Sequence, residues 1–523
     1  MKKALIIGLM GAVTLSSSCK KYFDINDNPN SATTATPVLI LPQVLTATAS
    51  MVNGYNTYGA QLVGYAANAG GFGGFGTAVT YNFSTNDNSA RWSSAYDVLN
   101  DYQSILNSTD TLPVMKRYNA VARIMKAHAF QLLVDAYNDI PYEEALKGLQ
   151  NLTPAYTDAK VIYKDLADQL DKAIADINAA PGVTNNIELS ATADVMFAGN
   201  MTKWKQFANT LKLRILIHGR GKVTFSNSNF DAAGFLTDDA MVDPGYVRDN
   251  NKQNPKWNTW AFSYTGSPGS KSWMPNTFVY SFYNGTKLSD VNRGYAIYYQ
   301  FPSTPTNRLG YENNSVVASP DGSFWYPSSS RTGTSAGNTT GVLKGPDAGM
   351  PIITAAESYL LQSEAVVRGI IPTGNAKNLF LSGIEASFKY LDELPDGTYP
   401  TGWDPVAEAQ QYQDDNEDSP LVNFDLAASD EKKIEAIITQ KYIALNFVNS
   451  DEAWNEYRRT GYPAVVNTAG ANGSQTFASV SSESTRPDRL PTRILYPSSE
   501  SSYNTANVPK NISPYSSLIF WAK

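Results

Sequence analysis

One cysteine and two histidines are all that this 523-residue chain holds of the side chains that most often ligate transition metals or act as nucleophile and base near neutral pH. A single thiol, Cys19, forms no internal disulfide and no multi-cysteine zinc site. His128 and His218 fall inside amphipathic stretches, where a core or groove-edge position suits them better than a metal or a proton relay. No Gly-x-Ser-x-Gly elbow and no Gly-Lys-Ser/Thr phosphate loop occurs. The one catalytic route left open is an Asp/Glu pair of the glycosidase kind, and nothing singles out such a pair. No catalytic residue, metal or cofactor is therefore expected. Positive charge is scarce as well: 41 Lys and Arg face 48 Asp and Glu, and the deficit grows by two if Lys2 and Lys3 are cut away. Such a body repels polyanions, so nucleic acid is not an expected partner.

Long apolar runs are also missing. The longest, Ala4–Leu15, follows Lys2 and Lys3 and precedes Ser16, Ser17 and Ser18. It falls short of the ~20 residues a membrane-spanning helix needs, and it has the charged, apolar and small-residue order of an export signal. Residues 1–18 are read as that signal. Cys19 stands just after the cut, where its sulfur can accept a lipid, and becomes the mature N-terminus. The plain alternative is a secreted chain cut near Ser18 with a free thiol. Residues 19–37, KKYFDINDNPNSATTATP after the cysteine, show no period of 2 or 3.6 and read as a tether. Asp24, Asn26 and Asn28 alternate as calcium ligands do, but Pro29 takes the place of the turn glycine and no Glu follows at the twelfth position, which favours an Asx-rich turn.

What the chain has in quantity is helical periodicity. From Pro113, Val121, Ile124, Met125, His128 and Leu132 share a stripe, and Ala120, Ala122, Ala127 and Ala129 allow close approach of a neighbour. Residues 157–177 repeat the pattern through Ile162, Leu166, Leu170, Ile174 and Ile177. Further helices are expected at about 38–67, 194–218, 352–369, 374–394 and 430–459. The last ends legibly, with Arg458 and Arg459 at the negative helix end, Gly461 as left-handed cap and Pro463 beyond. Paired helices of this length suggest tetratricopeptide-like hairpins, although the 34-residue consensus is not cleanly repeated. The fold class is mainly α, one large domain over 38–523.

Between about 220 and 350 this periodicity stops. Of the 70 residues from Trp257 to Tyr326, 17 are aromatic, twice the chain average, which argues for ordered loops that carry function. Sugars present apolar C–H faces ringed by hydroxyls, so a receptor needs flat rings beside amide, carboxylate or guanidinium groups. Trp257, Trp260, Trp273, Tyr283, Trp325 and Tyr326, next to Asn258, Lys271, Asn276, Asn284 and Asp321, supply that mixture. Most of these rings are expected to pack beneath their loops, leaving two to four for a ligand. GGFGGFG at 70–76 spells Gly-x-Gly-x-x-Gly at Gly71, Gly73 and Gly76, but without a strand before and a helix after it the better reading is a flexible loop presenting Phe72 and Phe75.

FDINDNPNSATTATPVLILP after the cysteine, DAYNDIPYEEAL at 135–146, AAESYLLQSEA at 355–365, DEAWNEYRRTGYP at 451–463 and LPTRILYPSSESSYNTANV at 490–508 together resemble the SusD/RagB family of outer-membrane lipoproteins, in its SusD-like branch. The resemblance implies tetratricopeptide-like helix pairs as scaffold, with 220–350 as the ligand-facing insert. It implies lipidation at Cys19, a place at the outer membrane facing outward, and capture of glycans or oligosaccharides without hydrolysis for a TonB-dependent SusC-like transporter. Peptide or another nutrient in the same architecture is the alternative, and a surface glycoside hydrolase a more distant one. The family's ligand residues vary with substrate and map to no short motif here. EYRRTGYP and DIPY read as a helix stop and a helix-to-loop corner.

Overall fold

The structure, a computed structural model, describes residues 36–466 and 470–523. The expectations for 1–35, including Cys19 and the Asx-rich turn, lie outside the described residues.

Helix α1 (Pro37–Leu62) starts on a proline whose missing N–H costs nothing in a first turn. It is followed by α2 (Ser89–Thr109), α3 (Lys116–Tyr137), α4 (Ala159–Ala179) and α5 (Met201–His218), each packed on its predecessor. α3 is the centre of this row: from Tyr118 to Tyr137 only Lys126 escapes burial, so its alanines lie against α2 on one side and α4 on the other. α4 shows the amphipathic stripe read from sequence, with Ile162, Leu166, Leu170, Ile174 and Ile177 all buried. Side-chain caps fix the starts of both following elements: Asp158 accepts from the Lys160 N–H and Asn200 from Thr202 and Lys203, a device that stabilises a helix by ~1 kcal/mol.

The aromatic region 220–350 contributes only short elements, chiefly α6 (Pro255–Trp260) and α7 (Val291–Ile297). Short antiparallel pairs stitch parts of the chain to the helical body. β1 (Ala66–Asn68), β2 (Ile140–Pro141), β3 (Tyr156–Thr157), β4 (Ala240–Val242), β5 (Trp273–Pro275) and β6 (Met350–Ile353) pair as β1 with β5, β2 with β3, and β4 with β6. The chain then returns to helices: α8 (Ala355–Val367), α9 (Ala376–Asp392), α10 (Pro405–Asp415), α11 (Asp430–Ala444) and α12 (Ser450–Thr460). α8 packs on α5, α9 and α11, and α12 closes back onto α1. The result is the mainly helical single domain of paired helices that the periodicity predicts.

One expectation needs correction. The helix expected over 430–459 is two helices, because Phe447 takes a left-handed φ of 60° between them and Asn449 caps α12 by accepting from the Glu452 N–H. The break aims Phe447 at Trp325, with ring centroids 4.2 Å apart. Gly461 takes the left-handed cap, at φ 81°, and Arg458 and Arg459 stand in the last turn as expected. They are buried, Arg458 donating to the Thr492 and Asp135 carbonyls and Arg459 to Glu364.

Candidate functional site

Five of the six aromatic residues singled out as ligand platforms are core. Trp257, Trp260, Tyr283, Trp325 and Tyr326 are each at most 1% exposed. Trp260 and Trp325 bracket Phe447, and Trp257 meets Tyr326 edge-on at 5.3 Å. Tyr283 receives a hydrogen bond from Asn446. The reason is volume: a region without long helices has no aliphatic stripe to bury, so its rings fill the space between loops and body. Asn276 is likewise structural, capping a single helical turn through the Phe278 N–H, while Asn258 accepts from Gln253 and Asn284 from the Thr286 N–H.

Trp273 is the exception, half-buried on β5 with Met274 turned into the core beside it, as strand alternation requires. Its partner in register is Asn68, and two residues beyond Asn68 the glycine-rich loop begins. Phe75 from that loop meets the Trp273 ring at 5.3 Å and 70°, and Phe72 is 46% exposed. The base of the loop is clamped. Gly70 donates to the Val317 carbonyl at 2.8 Å, and a Cβ on Gly70 would lie 1.8 Å from the Val316 oxygen, so only glycine fits. Beyond it, added side-chain carbons at Gly73 and Gly74 would meet nothing within 4 Å. A strand does precede the Gly-x-Gly-x-x-Gly spelling, contrary to the sequence reading. It is three residues long and antiparallel, and one helical turn (Thr77–Thr80) follows, so no parallel-sheet dinucleotide cradle forms.

Asn68 organises the third wall. Its Oδ1 accepts from the Gly310 N–H at 2.8 Å and its Nδ2 donates to the Tyr311 carbonyl at 3.0 Å, which fixes exposed Tyr311 next to the end of β1. Lys271 and Asp321 form a solvent-exposed ion pair of 2.7 Å close to Trp273 in the chain. Thr77 and Ala78, immediately after the loop, line a groove of about 750 Å³ between α1 and α2 walled by Met51, Tyr58, Phe83 and Val98. The Trp273–Phe75 ring pair, with exposed Phe72 in the same loop and exposed Tyr311 held beside β1, is the candidate aromatic site. Tyr311 and the positioning role of Asn68 were missed by sequence reasoning, because they depend on a pairing between segments about 200 residues apart.

Both histidines are buried. His128 is pushed down to about 3, first by burial and then by Arg214 beside it. His218 lies with Glu452 and Glu456 in a group whose ligand atoms fall within 4.8 Å of one another. Lys441 already occupies that cation position, its Nζ 3.0 Å from both Glu452 Oε1 and Glu456 Oε1. Arg214 joins Glu357 at 3.0 Å in the same network. Burial opposes the charge on His218, but Glu452, Glu456 and Asp135 outweigh it and raise the ring to about 9. The donor set is neutralised from within the protein and is read as a structural charge cluster.

Comparison with known proteins follows the same line. A family model described as starch-binding associating with outer membrane matches residues 29–497. No curated protein matches. Among solved structures, a SusD homologue from Bacteroides fragilis superposes with a TM-score of 0.65 at 21% identity, covering 94% of this chain and all of that one. A chitin-binding SusD homologue from Flavobacterium johnsoniae gives 0.62 at 20% identity, over 92% of this chain and 98% of its own. At these identities the superpositions establish the fold, and the extent of the family match establishes kinship: the chain belongs to the SusD-like family.

Proposed function

We propose that this protein is a non-catalytic, cell-surface lipoprotein that binds glycans or oligosaccharides and passes them to a TonB-dependent SusC-like transporter in the outer membrane. The observation that carries the reading is the Trp273–Phe75 ring pair on a SusD-like fold, with exposed Phe72 in the same loop, Tyr311 held beside β1, and the exposed Lys271–Asp321 pair near Trp273 in the chain. Rings set at an angle give C–H contacts to successive sugar units, and the ion pair offers donors and acceptors for hydroxyls. An open face buries less of a ligand than a deep pocket, so affinity for short oligosaccharides is modest.

Cys19 is the proposed lipid anchor. Its place directly after the apolar run Ala4–Leu15 and three serines supports this, and among the described residues no helix is long and apolar enough to cross a membrane. The chitin-binding relatives make chitooligosaccharides the first ligands to try, with starch oligosaccharides beside them. Titration calorimetry on wild type and Trp273→Ala tests the site. Loss of binding with an unchanged melting temperature supports it, and wild-type affinity in the variant refutes it. Palmitate labelling of wild type and Cys19→Ala tests the anchor, and co-purification with a large outer-membrane barrel tests the partner.

A further inference from the structure

A separate pocket of about 360 Å³ lies where the ends of α5 and α12 meet the C-terminal residues, and it shares no residue with the aromatic site. Five Lys and Arg side chains line it, Arg220, Lys222, Arg368, Arg459 and Lys523, together with His218 and one side-chain carboxylate, Glu431. That carboxylate is engaged, accepting from the Tyr462 hydroxyl at 2.8 Å. Three of the five cations already have partners, among them Lys523, which donates to the Thr460 carbonyl at 2.8 Å, but donors remain. Arg459 gives its terminal nitrogens to Glu364 and Glu456, while its buried Nε has no partner among the described residues. Arg368 uses Nε alone, on Glu364 at 2.6 Å. Arg220 and Lys222 are exposed and make no ion pair among the described residues. In a protein of formal charge −7, the two unpaired cations Arg220 and Lys222, beside the unbonded terminal nitrogens of Arg368 and the unpartnered Arg459 Nε, give this concave site a local positive potential.

We propose that this pocket binds an anionic group, a phosphate, sulfate or carboxylate carried by a ligand. Guanidinium groups match the planar, multi-oxygen geometry of such anions, and Arg220 with Lys222 at the mouth supplies the steering charge. The anion belongs either to an acidic or sulfated glycan or to the phosphate of a lipid headgroup, two sources with one chemistry.

The test uses the full chain at low ionic strength. Inorganic phosphate and sulfate are titrated into wild type and into Arg220→Ala/Lys222→Ala, whose exposed, unpaired positions leave the unliganded melting temperature unchanged. The expected result is saturable binding to wild type, weakened at least tenfold in the double variant and by added sodium chloride. Competition with bound phosphate by a sulfated disaccharide assigns the glycan source, and competition by vesicles containing phosphatidylglycerol assigns the lipid. Absence of phosphate and sulfate binding, equal binding by the double variant, or competition by neither ligand overturns the proposal.

Discussion

Replacing His218 by glutamine removes one titrating charge from the centre of the molecule and leaves a neutral polar side chain of similar length. His218 Nε2 lies 3.3 Å from Glu456 Oε1 and 3.4 Å from Glu452 Oε1, with Asp135 on the other ring nitrogen at 3.9 Å. These carboxylates overcome burial and raise the ring from 6.5 to about 9. Because the folded value exceeds the unfolded one, the stabilisation is fully present below pH 6.5 and is lost as pH rises through 9. At 1.36 kcal/mol per unit, the shift corresponds to about 3 kcal/mol. Urea unfolding of wild type and His218→Gln at pH 6 and pH 10 reads this directly: the stability gap between the two proteins is expected to be about 3 kcal/mol larger at the lower pH. Buried Lys256 and Lys344, lowered by burial to about 7 and about 8, bend the absolute profile in the opposite sense. They are common to both proteins and cancel in the gap. A gap that stays constant from pH 6 to pH 10 refutes the assignment of a charged His218.

Lys441→Met leaves Glu452 and Glu456 buried without their shared ammonium, a loss of ~3–5 kcal/mol that a lowered urea midpoint would show and that a second change, Glu456→Gln, should partly restore. Trp325→Ala opens a cavity beneath Phe447 and costs ~3–5 kcal/mol in denaturant unfolding, yet the folded fraction should bind glycan like wild type in calorimetry. Gly70→Ala drives a methyl group into the Val316 carbonyl, so both melting temperature and glycan affinity should fall together. Unchanged values there would mean that the loop base is not the clamp described above.

The legible parts of this fold are those where one segment carries its own answer. Ile162 to Ile177 specify α4 by spacing alone, and all five side chains are buried as that spacing requires. α2 carries a comparable series in Trp92, Ala95, Leu99, Tyr102 and Leu106, but interleaved Ser, Asn and Asp weaken the contrast, and it was not expected. The single helix read across 430–459 failed for a different cause. Its apolar period runs on past Ala444, while the fold needs Phe447 to leave the helix and meet Trp260 and Trp325. Tertiary packing overrides a local preference that is worth only tenths of a kcal/mol per residue.

The rings of 257–326 illustrate why composition does not tell a buried ring from an exposed one. Density of rings is a property of a segment, whereas exposure of a ring is a property of what lies above it. Trp257 and Trp273 have similar sequence neighbourhoods, each set among Asn, Lys, Ser and Thr, yet one lies under Tyr326 and the other stands at a strand edge. The difference arises from β1, which holds Trp273 opposite Asn68 while Met274 takes the inward position. Asn68 in turn holds Gly310 and Tyr311. Three stretches near 70, 273 and 311 thus depend on one asparagine, and none of them shows in sequence alone that it will lie beside the other two.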